Sequence, residues 1–511
     1  MSTLTLNRDT AAATEAVPTA APTARSGERT LLKPDIAVIG AGSGGLSVAA
    51  AAAAFGVEVV LIEKGKMGGD CLNYGCVPSK AVIAAAKHAH AARSAAKFGV
   101  HLGEPRVDYA EVHRHVQDVI GSIAPNDSEE RFTAMGVKVI RAAARFTDPG
   151  TIVAGGYEIK PRRVVVATGS TAFVPPIPGL DGVDYLTNES LFDLQVLPEH
   201  LIVVGGGPIG MEMAQAHRRL GSKVTVLEGG RAFGKDDPEL AAVVLDAIRA
   251  EGVEVREGAM VKSVEKTVES VEQADGQPGV RVTIETEDGE EAVEGSHLLI
   301  ATGRKVNVEG LGLEEGDVEY DRTGIKVTNK LRSRTNRRVY AVGDVAGGFQ
   351  FTHVAGYHAG LVIRAILFRL PAKENREIIP WATYTDPELG HVGLTEEQAR
   401  EAHGTINVLR WPYAENDRAQ AERKTAGMIK LITAKRGRIV GASIAGAGAG
   451  EILNTMSLAV AKKLTVGDMT GFISPYPTMT EIGKRAATSA LAPAARKPIV
   501  RRLIGFLRRF G

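Results

Sequence analysis

The chain has 511 residues, enough for two to four domains, since single cores rarely grow past about 250–300 residues. Its 61 basic residues stand against 60 acidic ones, so no global charge draws it to nucleic acid. No run of about 18 apolar residues is present to span a bilayer, and the 44% hydrophobic content is that of a soluble globular protein.

Residues 1–34 are rich in Ala, Thr and Pro and lack the apolar stretch of a secretory signal, which predicts a disordered leader and a cytoplasmic location. "DIAVIGAGSGGLSVAAAAAAFGVEVVLIEKG" follows. Asp35–Ile39 reads as a strand, Gly40-x-Gly42-x-x-Gly45 opens an Ala-rich helix, and Val57–Ile62 reads as a second strand ending at Glu63, 18 residues past the third glycine. This is a dinucleotide fingerprint in its βαβ setting. The glycines allow a tight turn and a close approach to a pyrophosphate at the helix N-terminus, and the acid suits a ribose hydroxyl.

Both cysteines of the chain, Cys71 and Cys76, lie in "GGDCLNYGCVPSK", residues 68–80. An inert crosslink and half of a metal site are the bland alternatives. A crosslink has little to do in a reducing compartment, and no CxxC or histidine is spaced for zinc, which favours a redox pair. His88 and His90 read as ordinary helix-face residues, and His353 and His358 are not at metal-ligand spacing, so no metal site is expected.

The first pattern recurs in "HLIVVGGGPIGMEMAQAHRRLGSKVTVLEGG", with Gly205-x-Gly207-x-x-Gly210 and Glu228 again 18 residues past the third glycine. Two apolar strands each end in Ala-Thr-Gly, at Thr168-Gly169-Ser170 and at Gly303. "VYAVGDVAGG" looks like a returning strand of the first domain, with Asp344 at its end. The expected architecture is therefore α/β. One Rossmann-like dinucleotide domain (35–190 and 311–375) holds a second as an insertion (191–310), and an α+β domain without a phosphate loop follows (376–490). Residues 491–511 form a basic tail. Glu228 favours NAD(H), because a carboxylate accepts a free 2′-hydroxyl and repels a 2′-phosphate; Arg231 leaves room for NADP(H).

The fingerprints, the CxxxxC segment, Gly343-Asp344 and "YTDPELGHVGLT" resemble the FAD-dependent pyridine nucleotide-disulfide oxidoreductases. That class I group includes lipoamide dehydrogenase, glutathione reductase and mercuric reductase. The wording of the cysteine segment and "FTHVAGYHAG" is most similar to the mercuric-reductase-like branch. The resemblance covers about residues 35–490. It implies FAD in the first domain, with Glu63 on the adenosine ribose, and with Ala144, Thr168, Gly169 and Ser170 along the adenine side and diphosphate. Asp344 would meet the ribityl or diphosphate end, and the helix after Thr352-His353 would aim its N-terminus at the flavin. Cys76 would be the charge-transfer thiolate and Cys71 the interchange thiol. Lys80 would sit by the flavin, paired with Glu212. A homodimer is implied, with the Tyr476–Glu481 segment completing the partner's site.

Disulfide-reducing members carry a His-Pro-Thr motif where this chain has Tyr476-Pro477-Thr478, followed by Glu481. A phenol is a poor base at neutral pH. Mercuric reductases use a tyrosine near this position but also further cysteines, and this sequence has no third thiol. The expected activity is NAD(P)H oxidation through FAD and Cys71–Cys76 to a small acceptor: a disulfide, a metal ion or a quinone-like molecule. Dihydrolipoamide dehydrogenase is the alternative within enzymes. A non-turnover sensor of the NADH/NAD balance at a membrane is the alternative outside them. The stretch "KPIVRRLIGFLRRFG" separates apolar residues from arginines on a helical wheel, which predicts peripheral contact of residues 496–510 with the inner face of a membrane.

Overall fold

The computed structural model describes residues 29–267, 279–495 and 497–510. Ile36–Ile39 leads into the first glycine loop, Ser43–Ala54 is the helix it opens, and Val59–Glu63 is the second strand. They join a five-stranded parallel sheet in the order Val339–Ala341, Arg163–Val166, Ile36–Ile39, Val59–Glu63, Lys138–Arg141. Ile36–Ile39 and Val339–Ala341 are buried throughout, which is why they read as unbroken apolar runs rather than alternating ones. The segment Val339–Ala341 closes this sheet beside Arg163–Val166, so the second cassette is indeed an insertion.

A second sheet in the same domain runs Thr30–Leu32, Tyr157–Ile159, Thr151–Ala154, Ala144–Asp148. Thr30–Leu32 pairs in parallel with Tyr157–Ile159. This corrects the expected leader boundary at residue 34. Composition averaged over the leader hides this short Thr-Leu-Leu segment, which gains a backbone partner only in the fold. Residues 1–28 lie outside the described residues.

The second cassette repeats the design. Its parallel sheet runs Glu254–Glu257, Lys223–Glu228, His200–Val204, His297–Ile300, beside a three-stranded antiparallel sheet of Met260–Lys266, Val280–Thr286 and Gly289–Gly295. The two Ala-Thr-Gly echoes have a structural reason. Gly40 and Gly205 have φ of +105° and +116°, and a Cβ there would fall 2.4 Å from the carbonyl oxygen of Ala167 and 2.5 Å from that of Ala301. Each fingerprint's first glycine thus packs on the backbone of the alanine in the neighbouring Ala-Thr-Gly. At the third glycines, Gly45 and Gly210, a Cβ would fall 1.9 and 2.0 Å from the oxygens of Gly40 and Gly205.

The third domain is an antiparallel sheet, Trp381–Thr383, Glu388–Gly393, Ile439–Gly446, Met428–Thr433, Asn407–Pro412. Helices Ala449–Ala461 and Glu481–Ser489 contribute Leu453, Met456, Ile482 and Ala486 to its core. Buried charge ties it to the second cassette. Lys430 Nζ, on the sheet, lies 2.7 Å from Asp237, 3.1 Å from Glu239 and 3.1 Å from Glu396. Arg219 bridges Glu251 at 2.6 Å and Asp386 at 3.1 Å. No helix among the described residues is long and apolar enough to cross a membrane.

Candidate active site

Two helix starts converge on Cys76. It is the first residue of the helix Cys76–Ser94, behind Gly75, and Thr352 opens the helix Thr352–Leu367. Thr352 Oγ1 lies 3.4 Å from Cys76 Sγ. Helix N-termini carry partial positive charge and favour an anion there. Cys71 sits on the short helix Gly69–Asn73, half-buried, and both thiols are free. A hydrogen bond from Cys71, more than any other contact, lowers Cys76 from the ordinary 9.0 to about 6, helped by Thr352 and the charge of Lys80 against the opposing effect of burial. The same contact, with burial behind it, pushes the Cys71 thiol up. The two sulfurs therefore divide into a thiolate at 76 and a thiol at 71.

Lys80 lies one turn along the same helix face. Its Nζ is 2.8 Å from Glu212 Oε2, and Glu212 Oε1 accepts the Tyr384 N–H at 2.8 Å. The ammonium also lies 4.6 Å from the centre of the Tyr384 ring. Glu212, on the helix Pro208–Leu220 of the second fingerprint, is buried. All three domains meet at this one carboxylate, whose partner Lys80 lies one helical turn from Cys76.

The cradles for two dinucleotides are present. Glu63 accepts the Ala41 N–H at 2.6 Å and the Gly65 N–H at 2.6 Å; Glu228 accepts Gly206 at 2.7 Å and Gly230 at 2.8 Å. Each acid thus braces its own glycine loop and keeps lone pairs for a ribose hydroxyl. A Cβ at Gly207 would have nothing within 4 Å, and one at Gly42 only the Gly69 Cα at 3.9 Å, so both loops leave room where a phosphate approaches. Arg231 is exposed beside Glu228. Ala144 is buried at the start of Ala144–Asp148, shortly after Arg141 pairs with Glu63. Gly169 and Gly303 both have positive φ, at +65° and +139°. Thr168 Oγ1 donates to the Asn307 carbonyl at 2.7 Å.

Ser170 donates to Asp344, whose carboxyl is pushed up by burial against the pull of Ser170 and Arg304. Arg304 is the centre of a network that motif reading did not find. Its Nε donates to Ser170 Oγ at 2.8 Å, and its Nη2 meets Asp70 Oδ2 at 3.1 Å. Asn188 Nδ2 donates to Asp70 Oδ1 at 3.0 Å and to the Tyr74 carbonyl at 3.1 Å. The segment bearing the cysteines is thereby pinned to the Asp344 end of the first cradle. Arg304 directly follows an Ala-Thr-Gly, which was a usable signal; Asn188 carries none.

Other expected residues stand apart. The His353 ring stacks on Phe351 at 5.3 Å and its Nε2 lies 2.7 Å from the Pro380 carbonyl, so the helix start rather than the imidazole faces Cys76. Tyr476 is exposed and donates to Asp417 Oδ2 at 2.7 Å, and that carboxylate raises its pKa further. Glu481 opens the helix Glu481–Ser489 and accepts the Thr478 N–H at 3.4 Å.

Two like-built dinucleotide cassettes, linked through a lysine–carboxylate pair to a dithiol at two helix starts, define a nucleotide-dependent dithiol oxidoreductase. The chain belongs to the pyridine nucleotide-disulphide oxidoreductases: residues 34–359 match the model of that family, and residues 379–487 match its dimerisation domain. It is 36% identical to a mercuric reductase of Streptomyces lividans, over 90% of this chain and 97% of that protein. It is 32% identical to a dihydrolipoyl dehydrogenase of Staphylococcus aureus, again over 90% and 97%. Among solved structures it is similar to the Cu(II) complex of the HOCl-induced flavoprotein disulfide reductase RclA from Escherichia coli (TM-score 0.78, 26% identity, 89% of this chain and 99% of that one). It is also similar to LpdA from Mycobacterium tuberculosis (TM-score 0.80, 26% identity, 90% and 99%). The chain is accordingly an enzyme that works with FAD and NAD(P)H, and its dimerisation domain supports a homodimer.

Proposed function

We propose that the enzyme oxidises NADH and passes the electrons through Cys71–Cys76 to a thiophilic metal ion. The single observation that carries the acceptor is Tyr476, a phenol already hydrogen-bonded to Asp417 with its pKa raised, where a base would be needed to serve a disulfide. Reducing a disulfide requires a proton for the departing thiolate. Reducing a metal ion held between two sulfurs does not. The names of the 36%-identical mercuric reductase and of the Cu(II)-bound RclA favour the same acceptor class.

Bound in the first cradle, FAD would supply the two-electron chemistry that links the nicotinamide to the disulfide. The residues of the chain do the rest. Gly40, Gly42 and Gly45 would admit the FAD diphosphate, Glu63 would take its adenosine ribose, Ala144, Thr168, Gly169 and Ser170 would line the adenine and diphosphate side, and Asp344 would meet the ribityl or diphosphate end. Gly205, Gly207, Gly210 and Gly303 admit the nicotinamide dinucleotide, and Glu228 selects the free 2′-hydroxyl of NADH. Lys80 and Glu212 place a positive charge beside the cysteines and fix it from the second cassette. The helix start at Thr352 stabilises negative charge at Cys76, while Cys71 remains the thiol that meets the acceptor. In balance, NADH, a proton and the disulfide give NAD⁺ and the dithiol. The dithiol and a divalent ion such as Hg(II) then give the disulfide, the reduced metal and two protons. Tyr476 and Glu481 are assigned to the partner's acceptor side of the homodimer.

Anaerobic reduction with NADH should produce a long-wavelength charge-transfer band that a Cys76→Ser variant lacks. Hg(II) and Cu(II) should discharge it faster than lipoamide or glutathione disulfide. Faster discharge by lipoamide would instead make the chain a dihydrolipoamide dehydrogenase, and discharge by a quinone alone would remove the metal. Absence of the band with bleaching of the flavin would take the thiols out of the circuit.

A further inference from the structure

The tail carries a surface that the redox reaction does not use. Pro498–Leu507 is a helix, begun by proline at its first turn, and none of its residues is buried. Ile499 is 73% exposed, Phe506 54% and Phe510 74%, with Leu503, Ile504 and Leu507 each half open. The rings of Phe506 and Phe510 meet edge to face at 5.1 Å, so the apolar side is already organised. At about 100° per residue, Ile499, Val500, Leu503, Ile504, Leu507 and the two phenylalanines fill an arc of roughly 160°. Arg501, Arg502, Arg508 and Arg509 fall on the opposite side, with Gly505 between them.

Charge identifies what such a face fits. Residues 491–511 hold six basic residues and no acid, whereas the rest of the chain has 55 basic against 60 acidic residues. A second copy of this segment would bring its four arginines against four like charges and offer no carboxylate to relieve them. A helix of ten residues is also too short to be stable alone in water, where about 12–15 is marginal, so it gains order from the surface it meets. An anionic bilayer supplies both missing halves. It offers an apolar layer for the open arc and negative headgroups to which arginines can snorkel along their own stems.

We propose that the Pro498–Phe510 segment docks the enzyme, lying flat, on anionic lipid surfaces. The test uses full-length, FAD-loaded protein and sedimentation with phosphatidylcholine vesicles, with or without about one phosphatidylglycerol in three lipids. Binding is expected with the anionic vesicles and should weaken as salt rises. Each arginine exchanged for glutamine should cost roughly fivefold in partition. The double variant Phe506→Ser, Phe510→Ser should lose binding while its NADH oxidation in solution stays unchanged. Equal sedimentation with both vesicle types, or with neither, would overturn the proposal. So would variants that alter the oligomeric state by light scattering while vesicle binding stays the same, since the face would then be a contact between proteins. Because the flavin spectrum is read separately, this outcome is independent of which acceptor the dithiol serves.

Discussion

Cys76 and Cys71 are chemically alike in the unfolded chain and opposite in the folded one. One hydrogen bond lowers the first to about 6 and raises the second. Cys76 is thus mostly thiolate at neutral pH and becomes a thiol only as pH falls through about 6. Its alkylation by iodoacetamide should follow that midpoint in the reduced enzyme. In a Cys71→Ala variant the donor is gone, and the midpoint should move up toward the ordinary 9.0. A midpoint that stayed near 6 would assign the effect to the helix starts at Cys76 and Thr352 instead. Lys80 contributes at the same scale, because Glu212 fixes its ammonium 2.8 Å away rather than leaving it to wander in solvent.

Between elements, the helix Tyr109–Ile123 is held to Pro208–Leu220 by a buried polar contact. His217 Nδ1 donates to the Met213 carbonyl at 2.9 Å, which leaves Nε2 unprotonated to accept the Tyr109 hydroxyl at 3.0 Å. Burial lowers His217 from 6.5 to about 4. The unfolded chain therefore takes up a proton first as pH falls. Stability is unaffected above about 6.5 and declines between there and about 4, by roughly 3 kcal/mol. Urea midpoints measured across that window should show the decline. A double variant, His217→Leu with Tyr109→Phe, should flatten this part of the profile. An unchanged slope would place the acid sensitivity elsewhere.

For the molecule as a whole, the Lys80–Glu212 pair beside the cysteines forms only if the second cassette stays docked on its neighbours. Lys430 is one of two buried cations of that joint, with Arg219, and it faces Asp237, Glu239 and Glu396. Lys430→Met keeps the length of the side chain but leaves buried Asp237 without its ammonium partner, while Glu239 keeps Arg410 and Glu396 keeps Arg400. We expect a loss of about 3–5 kcal/mol in denaturant unfolding, the cost of a buried pair with one partner removed. Lys305→Met, which breaks the exposed Lys305–Glu309 pair, should cost under about 1 kcal/mol. Equal effects from the two variants would show that the joint is not electrostatic.

Much of this protein is legible in local sequence, because its commonest devices are local. A glycine fingerprint specifies strand, turn, helix and acid within about thirty residues, and it appears twice, so both cradles and their order follow from reading alone. The cysteine segment is equally self-contained. What reading could not supply were contacts made by distant residues: Thr352 on Cys76, Arg304 between Ser170 and Asp70, and Tyr384 on Glu212. The strand at Thr30–Leu32 was hidden for the same reason, since its partner at Tyr157–Ile159 lies far along the chain. Side-chain type and spacing determine what a segment is able to do. Which sulfur carries the charge depends on donors and helix ends that only the packed tertiary structure brings within hydrogen-bonding distance.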